Sequence, residues 1–203
     1  MIVTGGGSAQ PKLGSNGSCY ELLTRLGHRM IPIRPSLCQI ETDTAPIRGL
    51  SGIRVRCGIS ILRHGQPVHH EEGELLFTDY GISGVCVMQC ARFARPGDEA
   101  AVNLCAGLGL DRNELPEMLR QRVHAWGSQD MEKLLTGLLV PRLSLAVMKA
   151  AGILCRDRSV CSCTGSELTS LCDAMTGLRL KIRGVKGFDL AQVTAGGIDC
   201  GDF

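Results

Sequence analysis

Aromatic residues are scarce in this chain: one Trp, two Tyr and four Phe make up 3% of 203 residues. So few π-faces leave no platforms on which bases could stack, which excludes nucleic-acid binding of that kind. An excess of one charge is lacking as well. Lys and Arg number 22 against 20 Asp and Glu, a net +2. The cations are scattered, so neither a nucleic acid nor an anionic membrane finds an electrostatic footprint. Long apolar runs are missing too: the longest, Leu134 to Val147, is broken by Pro141 and Arg142 and cannot span a bilayer. No leader pattern of basic then apolar residues is read after Met1. The 11 cysteines, mostly spaced singly, are therefore expected to be reduced thiols of a cytoplasmic protein. The phosphate-loop pattern G-x-x-x-x-G-K-S/T does not occur. Nor does G-x-G-x-x-G after a strand, since Gly5, Gly6 and Gly7 are contiguous.

Glycine, by contrast, is abundant at 26 residues, and hydrophobic residues make up 44% of the chain, a globular composition. Two glycine stretches have nearly the same chemistry: VTGGGS, Val3 to Ser8, and VTAGGI, Val193 to Ile198. Each reads as a strand running into a glycine-rich turn, the first strand covering Ile2 to Thr4. After the first turn comes a short helix, with Ser15 or Ser18 as caps, Tyr20, Leu22, Leu23 and Leu26 as apolar positions, and Gly27 at its end. IPIRPS, Ile31 to Ser36, reads as an extended exit.

A β-rich region follows. Ile53, Val55, Cys57, Ile59 and Ile61 alternate with Arg54, Arg56, Gly58 and Ser60, a period of two. RHGQP is a turn, GELLFT a strand and DYGISG a turn. VCVMQCARFA is strand or short helix, and EAAVNLCAGL is the last strand of the group. Such spacing suggests a small antiparallel sheet or barrel. From Asp111 the period becomes helical. Capping boxes are read at Asp111 with Glu114 and at Thr164 with Glu167, with helices over DMEKLLTGLL and LSLAVMKAAG in between. LRLKIRGVKGFDLAQVTAGG returns to extended structure. The fold class is thus α+β, and the order resembles an insertion between two halves of another domain.

Site candidates can be weighed residue by residue. A strand ending in Thr-Gly-Gly lets a phosphate or ring approach bare backbone, although a tight turn without ligand is the better account of one such stretch taken alone. The hairpin bearing His64, His69, His70, Glu71, Glu72 and Glu74 invites a metal, and with it a metal-dependent hydrolase. Adjacent His69 and His70 point to opposite faces of a strand, so a solvated hairpin is preferred and no metal is expected. Cys161 and Cys163 lack a second pair at zinc-ribbon spacing, and Cys86 and Cys90 read as packing residues. Ser83 in GISGV misses the nucleophile elbow because Gly84 comes one residue early.

VTGGGSAQPKLGSNGSCYELLTRLGH, GELLFTDYGISG and GFDLAQVTAGGID together resemble a family of bacterial FAD-dependent flavoproteins, the NAD(P)/FAD-dependent or aminoacetone-oxidase-like oxidoreductases. The three blocks occur in the family's order and cover essentially the whole chain. The resemblance implies Rossmann-type FAD-domain edges flanking an inserted antiparallel β-barrel and a small helical subdomain. Residues 1–30 would belong to the FAD domain, 31–110 to the barrel with a return strand at 178–190, 111–177 to the helical subdomain, and 191–203 to the re-entry. The dinucleotide fingerprint would lie before Met1 and the last flavin segment after Phe203, making the chain a central fragment whose partners are the other parts of the same polypeptide. By the same resemblance, Thr4, Gly5, Gly6, Ala195, Gly196 and Gly197 would line FAD through backbone atoms. Pro11, Gly14, Ser15 and Gly17 would form the loop near the flavin and a small-molecule substrate, with NAD(P)H a candidate electron donor. No catalytic acid or base is visible. The family's G-D-G-Y is Gly17-Ser18-Cys19-Tyr20 here. The alternative function is a stand-alone binding or interaction module.

Overall fold

The period-two stretch around Ile59 is a strand because its alternate side chains can all enter one core while the arginines between them stay in water. The computed structural model describes residues 2–202, so the outer limits Met1 and Phe203 of the expected terminal segments lie outside the described residues. In chain order come a 3-10 turn (Pro11–Leu13), α1 (Ser18–Arg25), β1 (Met30–Ser36), β2 (Ile40–Thr42), β3 (Arg54–Arg63) and β4 (Gln66–Thr78). Next are β5 (Gly81–Ser83), α2 (Val85–Cys90), β6 (Glu99–Asn103) and α3 (Leu104–Leu108). Helices α4 (Leu115–Ala125), α5 (Pro141–Ala150) and α6 (Gly165–Thr176) lead to β7 (Leu178–Val185) and β8 (Val193–Ile198).

Six strands close an antiparallel barrel in the order β2-β5-β4-β3-β6-β7. The hairpin from β3 to β4 turns at His64 and Gly65, with φ of 51° and 77°, the two positive values a tight two-residue hairpin requires. A barrel this small is filled by its own side chains. Ile40, Ile59, Ile61, Leu75, Phe77 and Ile82 are all fully buried inside. Helix α2 packs on β4, where the Cys86 thiol donates to the Glu74 carbonyl at 3.3 Å.

The helical subdomain shares one continuous core with the barrel through Leu115, Leu119, Leu143, Val147, Leu171 and Met175. The capping box at Thr164 and Glu167 forms. Glu167 also takes a two-pronged bond from Arg158, at 2.7 and 3.0 Å. Arg158, aided by the Thr164 N–H, holds the Glu167 carboxyl down at about 2. The other expected box does not form. Asp111 instead accepts from the Asn113 N–H at 2.7 Å, a local turn that competes with capping, and α4 starts at Leu115.

Two further expectations change, and a third, left open between strand and helix, is decided. DMEKLLTGLL is a 3-10 turn (Met131–Lys133) and further turns, because Gly137 sits at φ 82° and Arg122 takes the carbonyls of Leu134 and Thr136. EAAVNLCAGL is strand up to Asn103, whose side chain then caps α3 by accepting from the Cys105 N–H. VCVMQCARFA resolves as helix α2 followed by turns.

Strands β1 and β8 form a separate two-stranded antiparallel sheet and, with α1 and the first loop, a terminal lobe. Ile2 to Thr4 is not a strand: the run of glycines that follows has no sheet edge to pair with. The sequence boundary between residues 30 and 31 falls inside β1, so IPIRPS belongs with the lobe and the barrel begins at Ile40. Neither Ser15 nor Ser18 caps α1. Gly17 occupies that position at φ 69°, and Asn16 accepts from the Ser18 N–H. Gly27 does end the helix in the left-handed conformation, at φ 95°.

Two outcomes check this packing. A Cβ on Gly107 would lie 1.8 Å from the Arg56 carbonyl oxygen, while Gly187 has nothing within 4 Å. Gly107→Ala should cost about 1–3 kcal/mol in urea unfolding, and Gly187→Ala less than about 0.5 kcal/mol. The lowered Glu167 carboxyl means that its contribution is complete above about pH 4.5 and lost as pH falls toward about 2. Glu167→Gln should therefore flatten the acid limb of the stability profile over that window and lower stability at neutral pH.

Candidate functional site

The two glycine segments end up side by side, joined by one threonine hydroxyl. Thr194 Oγ1 accepts from the backbone N–H groups of Ser8, at 2.9 Å, and Ala9, at 3.0 Å. The Gly17 N–H donates to the Gly7 carbonyl at 2.9 Å and closes the loop from 7 to 17. At these crossings side chains press close on bare backbone. A Cβ on Gly7 would lie 2.7 Å from Thr194 Oγ1, and one on Gly5 would lie 2.1 Å from Cys19 Sγ. The Tyr20 ring fills the space between Gly7, Gly17 and Gly197. The loop is tied to the return segment as well: the Gln10 N–H donates to the Phe188 carbonyl at 2.9 Å, and its side-chain amide to the Ala191 carbonyl at 3.2 Å.

Of the residues named from the sequence, Gly5, Gly6, Ser15 and Gly17 come together in this loop, with Ser15 Oγ 3.1 Å from where a Gly6 Cβ would be. Pro11 and Gly14 lie on the exposed 3-10 turn, and Thr4, Gly5 and Gly6 are exposed. Ala195, Gly196 and Gly197 are placed differently from expectation. VTAGGI is strand β8 throughout, and its Gly196 stands opposite a bulge in β1, where the register shifts between Ile31 and Arg34. A Cβ on Gly196 would meet the Pro32 carbonyl oxygen at 2.4 Å, so this glycine serves strand contact. Sequence reasoning passed over Ser8, Tyr20 and Thr194 as members of the site. The recurrence of Val-Thr before both glycine runs was the available signal.

The histidine hairpin disperses its ligands. His69 stacks on Phe93 at 3.9 Å and contacts Glu71 at 2.7 Å, whereas His70 pairs with Ser60 at 2.9 Å. Among the described residues no three His, Cys, Asp or Glu side chains form a metal-ligating group. Burial pushes the thiols of Cys38 and Cys105 up to about 11 and that of Cys90 up to about 12, so these three remain protonated packing residues at neutral pH. No helix among the described residues is long and apolar enough to cross a membrane.

Comparison with known proteins gives the architecture a context. The family profile described as "HI0933-like protein barrel and H2TH domain" matches residues 34–193. The chain is 28% identical to a 3-dehydro-bile acid delta(4,6)-reductase of Clostridium scindens over 210 residues, covering 100% of this chain and 50% of the relative. It is 28% identical over 202 residues to a ribosomal RNA dihydrouridine synthase of Haemophilus influenzae, covering 98% of the chain and 47% of that protein. The Escherichia coli protein of the same name is 26% identical over 203 residues, with 98% and 48% covered. The chain thus spans about half the length of the curated relatives it matches.

Replacing Thr194 by Val removes the acceptor shared by Ser8 and Ala9. Amide exchange at those two residues should accelerate by about tenfold or more, the worth of a typical hydrogen bond. Barrel amides should be unchanged, and Thr194→Ser should restore protection.

Proposed function

The chain belongs to the family of the HI0933-like barrel and H2TH domain, and from that membership we propose that it is the barrel and helical portion of an FAD-dependent oxidoreductase. The terminal lobe is then the edge of a Rossmann-type flavin domain, completed by other parts of the same polypeptide. One observation carries the reading: Thr194 joins two glycine segments that lie 186 residues apart, outside the barrel. The relatives' names support a redox role. One is a reductase, and a dihydrouridine is a uridine that has gained two hydrogens, so each name denotes reduction of a double bond.

The residues fit such a cofactor. Exposed Gly5 and Gly6 offer backbone without side chains, and a Cβ on Gly6 at φ 72° would crowd Ser15. Thr4, Gly5 and Gly6, with Ala195 to Gly197 beside them, would hold the flavin edge. Pro11, Gly14, Ser15 and Gly17 would shape the side facing a small organic substrate. When bound, FAD supplies hydride or electron transfer, with NAD(P)H the proposed donor. Thr194 and Tyr20 act as positioning residues that hold the two segments at one spacing. The proposed setting is the cytoplasm, where thiols stay reduced.

A second reading, a stand-alone binding module, draws on the barrel's complete core, which takes almost nothing from the lobe. The test uses the polypeptide encoded by the whole reading frame that contains these 203 codons. On the oxidoreductase reading it purifies yellow, NAD(P)H bleaches it, and Thr194→Val lowers flavin retention by about tenfold. A colourless protein that fails to retain added FAD contradicts that reading and leaves the module.

A further inference from the structure

A groove of about 980 Å³ runs between the outer barrel wall and helices α5 and α6, at the upper end of the roughly 300–1,000 Å³ of small-molecule sites. Its floor is a cross-strand row: Ser60 on β3 pairs with Ala101 on β6, which pairs with Arg179 on β7. Small side chains keep it open, with Ala146 and Ala150 from α5 opposite Ala174 from α6. None of these residues belongs to the terminal lobe, so the groove stands apart from the flavin reading.

Its charge is one-sided. Arg112, Lys149 and Arg179 line it against a single carboxylate, Asp173. Lys149 has no ion pair among the described residues. Arg112 reaches Asp173 and Arg179 reaches Glu99, both at 3.4 Å and both between largely exposed groups. Exposed pairs of this kind contribute about 0–1 kcal/mol, so either arginine can turn to a ligand at little cost. Alanine and leucine surface gives an apolar body somewhere to rest, and the three cations would meet an acidic end. We propose that this groove binds a small amphipathic organic anion, a carboxylate or phosphate ester with an apolar body.

The probe is anilinonaphthalene sulfonate, an amphipathic anion that fluoresces when shielded from water, titrated into the 203-residue chain. Expected is one saturable site, with phenylnaphthylamine, the same rings without the sulfonate, binding about tenfold more weakly. Lys149→Glu combined with Arg179→Glu should weaken the anion about tenfold or more, and Ala101→Phe should block it by filling the floor. Leu22→Ser with Leu26→Ser, which removes exposed apolar surface from the lobe, should change nothing. Equal binding of the neutral probe, or a signal lost in the lobe variant and kept in the groove variants, overturns the proposal. A chain that sediments as a dimer until Arg179→Glu is introduced also overturns it, since the groove then receives a second copy.

Discussion

Closure of the barrel by its first and last strands is the constraint on which the rest of the molecule depends. Because β2 pairs with β7, Ile40 lies opposite Val185, and the chain enters and leaves the barrel at adjacent points. The hydrogen bonds that follow carry the pairing outward: the Lys186 N–H donates to the Gln39 carbonyl at 2.9 Å and the Gln192 N–H to the Leu37 carbonyl at 3.3 Å. Beyond them β1 and β8 continue as a pair, with Ser36 opposite Val193. Two segments almost a whole chain length apart are thereby delivered to one place by strand pairing alone. Loop closure over so many residues is unfavourable in an open chain, and the barrel's buried ladder supplies the compensation.

The lobe built on that pair is unlike the barrel in one respect. None of residues 2–35 is buried, and Leu22, Leu26 and Ile31 of its helix and strand face solvent. Amphipathic elements of this kind normally lay their apolar side against a neighbour. Under the proposed function the neighbour is the remainder of the flavin domain, and the glycine loop and the glycines of β8 lie where that domain would meet the barrel. The Thr194 hydroxyl then has a definite task. It replaces missing sheet pairing between the two glycine segments with two side-chain bonds, keeping their spacing while leaving Gly5 and Gly6 uncovered.

Much of the barrel was legible because local and tertiary preferences agree there. The alternation around Ile59 and the turn at His64 and Gly65 needed nothing from elsewhere in the chain. The box at Thr164 and Glu167 was readable for the same reason. Failures arose where a distant partner decided. Arg122 takes carbonyls that a helix over DMEKLLTGLL would have used internally, and Asn103 ends a strand by capping the next helix. VTAGGI reads as a turn until β1 is present to pair with it. The proximity of the two glycine segments could be suspected from their likeness, but the atom that joins them could not, since a threonine in a strand carries no such signal on its own. The charged groove left no trace in the sequence because its residues come from five secondary-structure elements and the loops between them.

The central claim is that residues 4–17 and 194–197 form one cofactor-facing surface outside the barrel. Amide chemical shifts of the isotopically labelled polypeptide of the whole reading frame, recorded as FAD is added, test it most directly. The account predicts that the amides of Gly5, Gly6, Ser15, Gly17 and Ala195 to Gly197 move together along one titration curve while the barrel strands stay still. Shifts confined to the barrel interior, or to one glycine segment without the other, would contradict it.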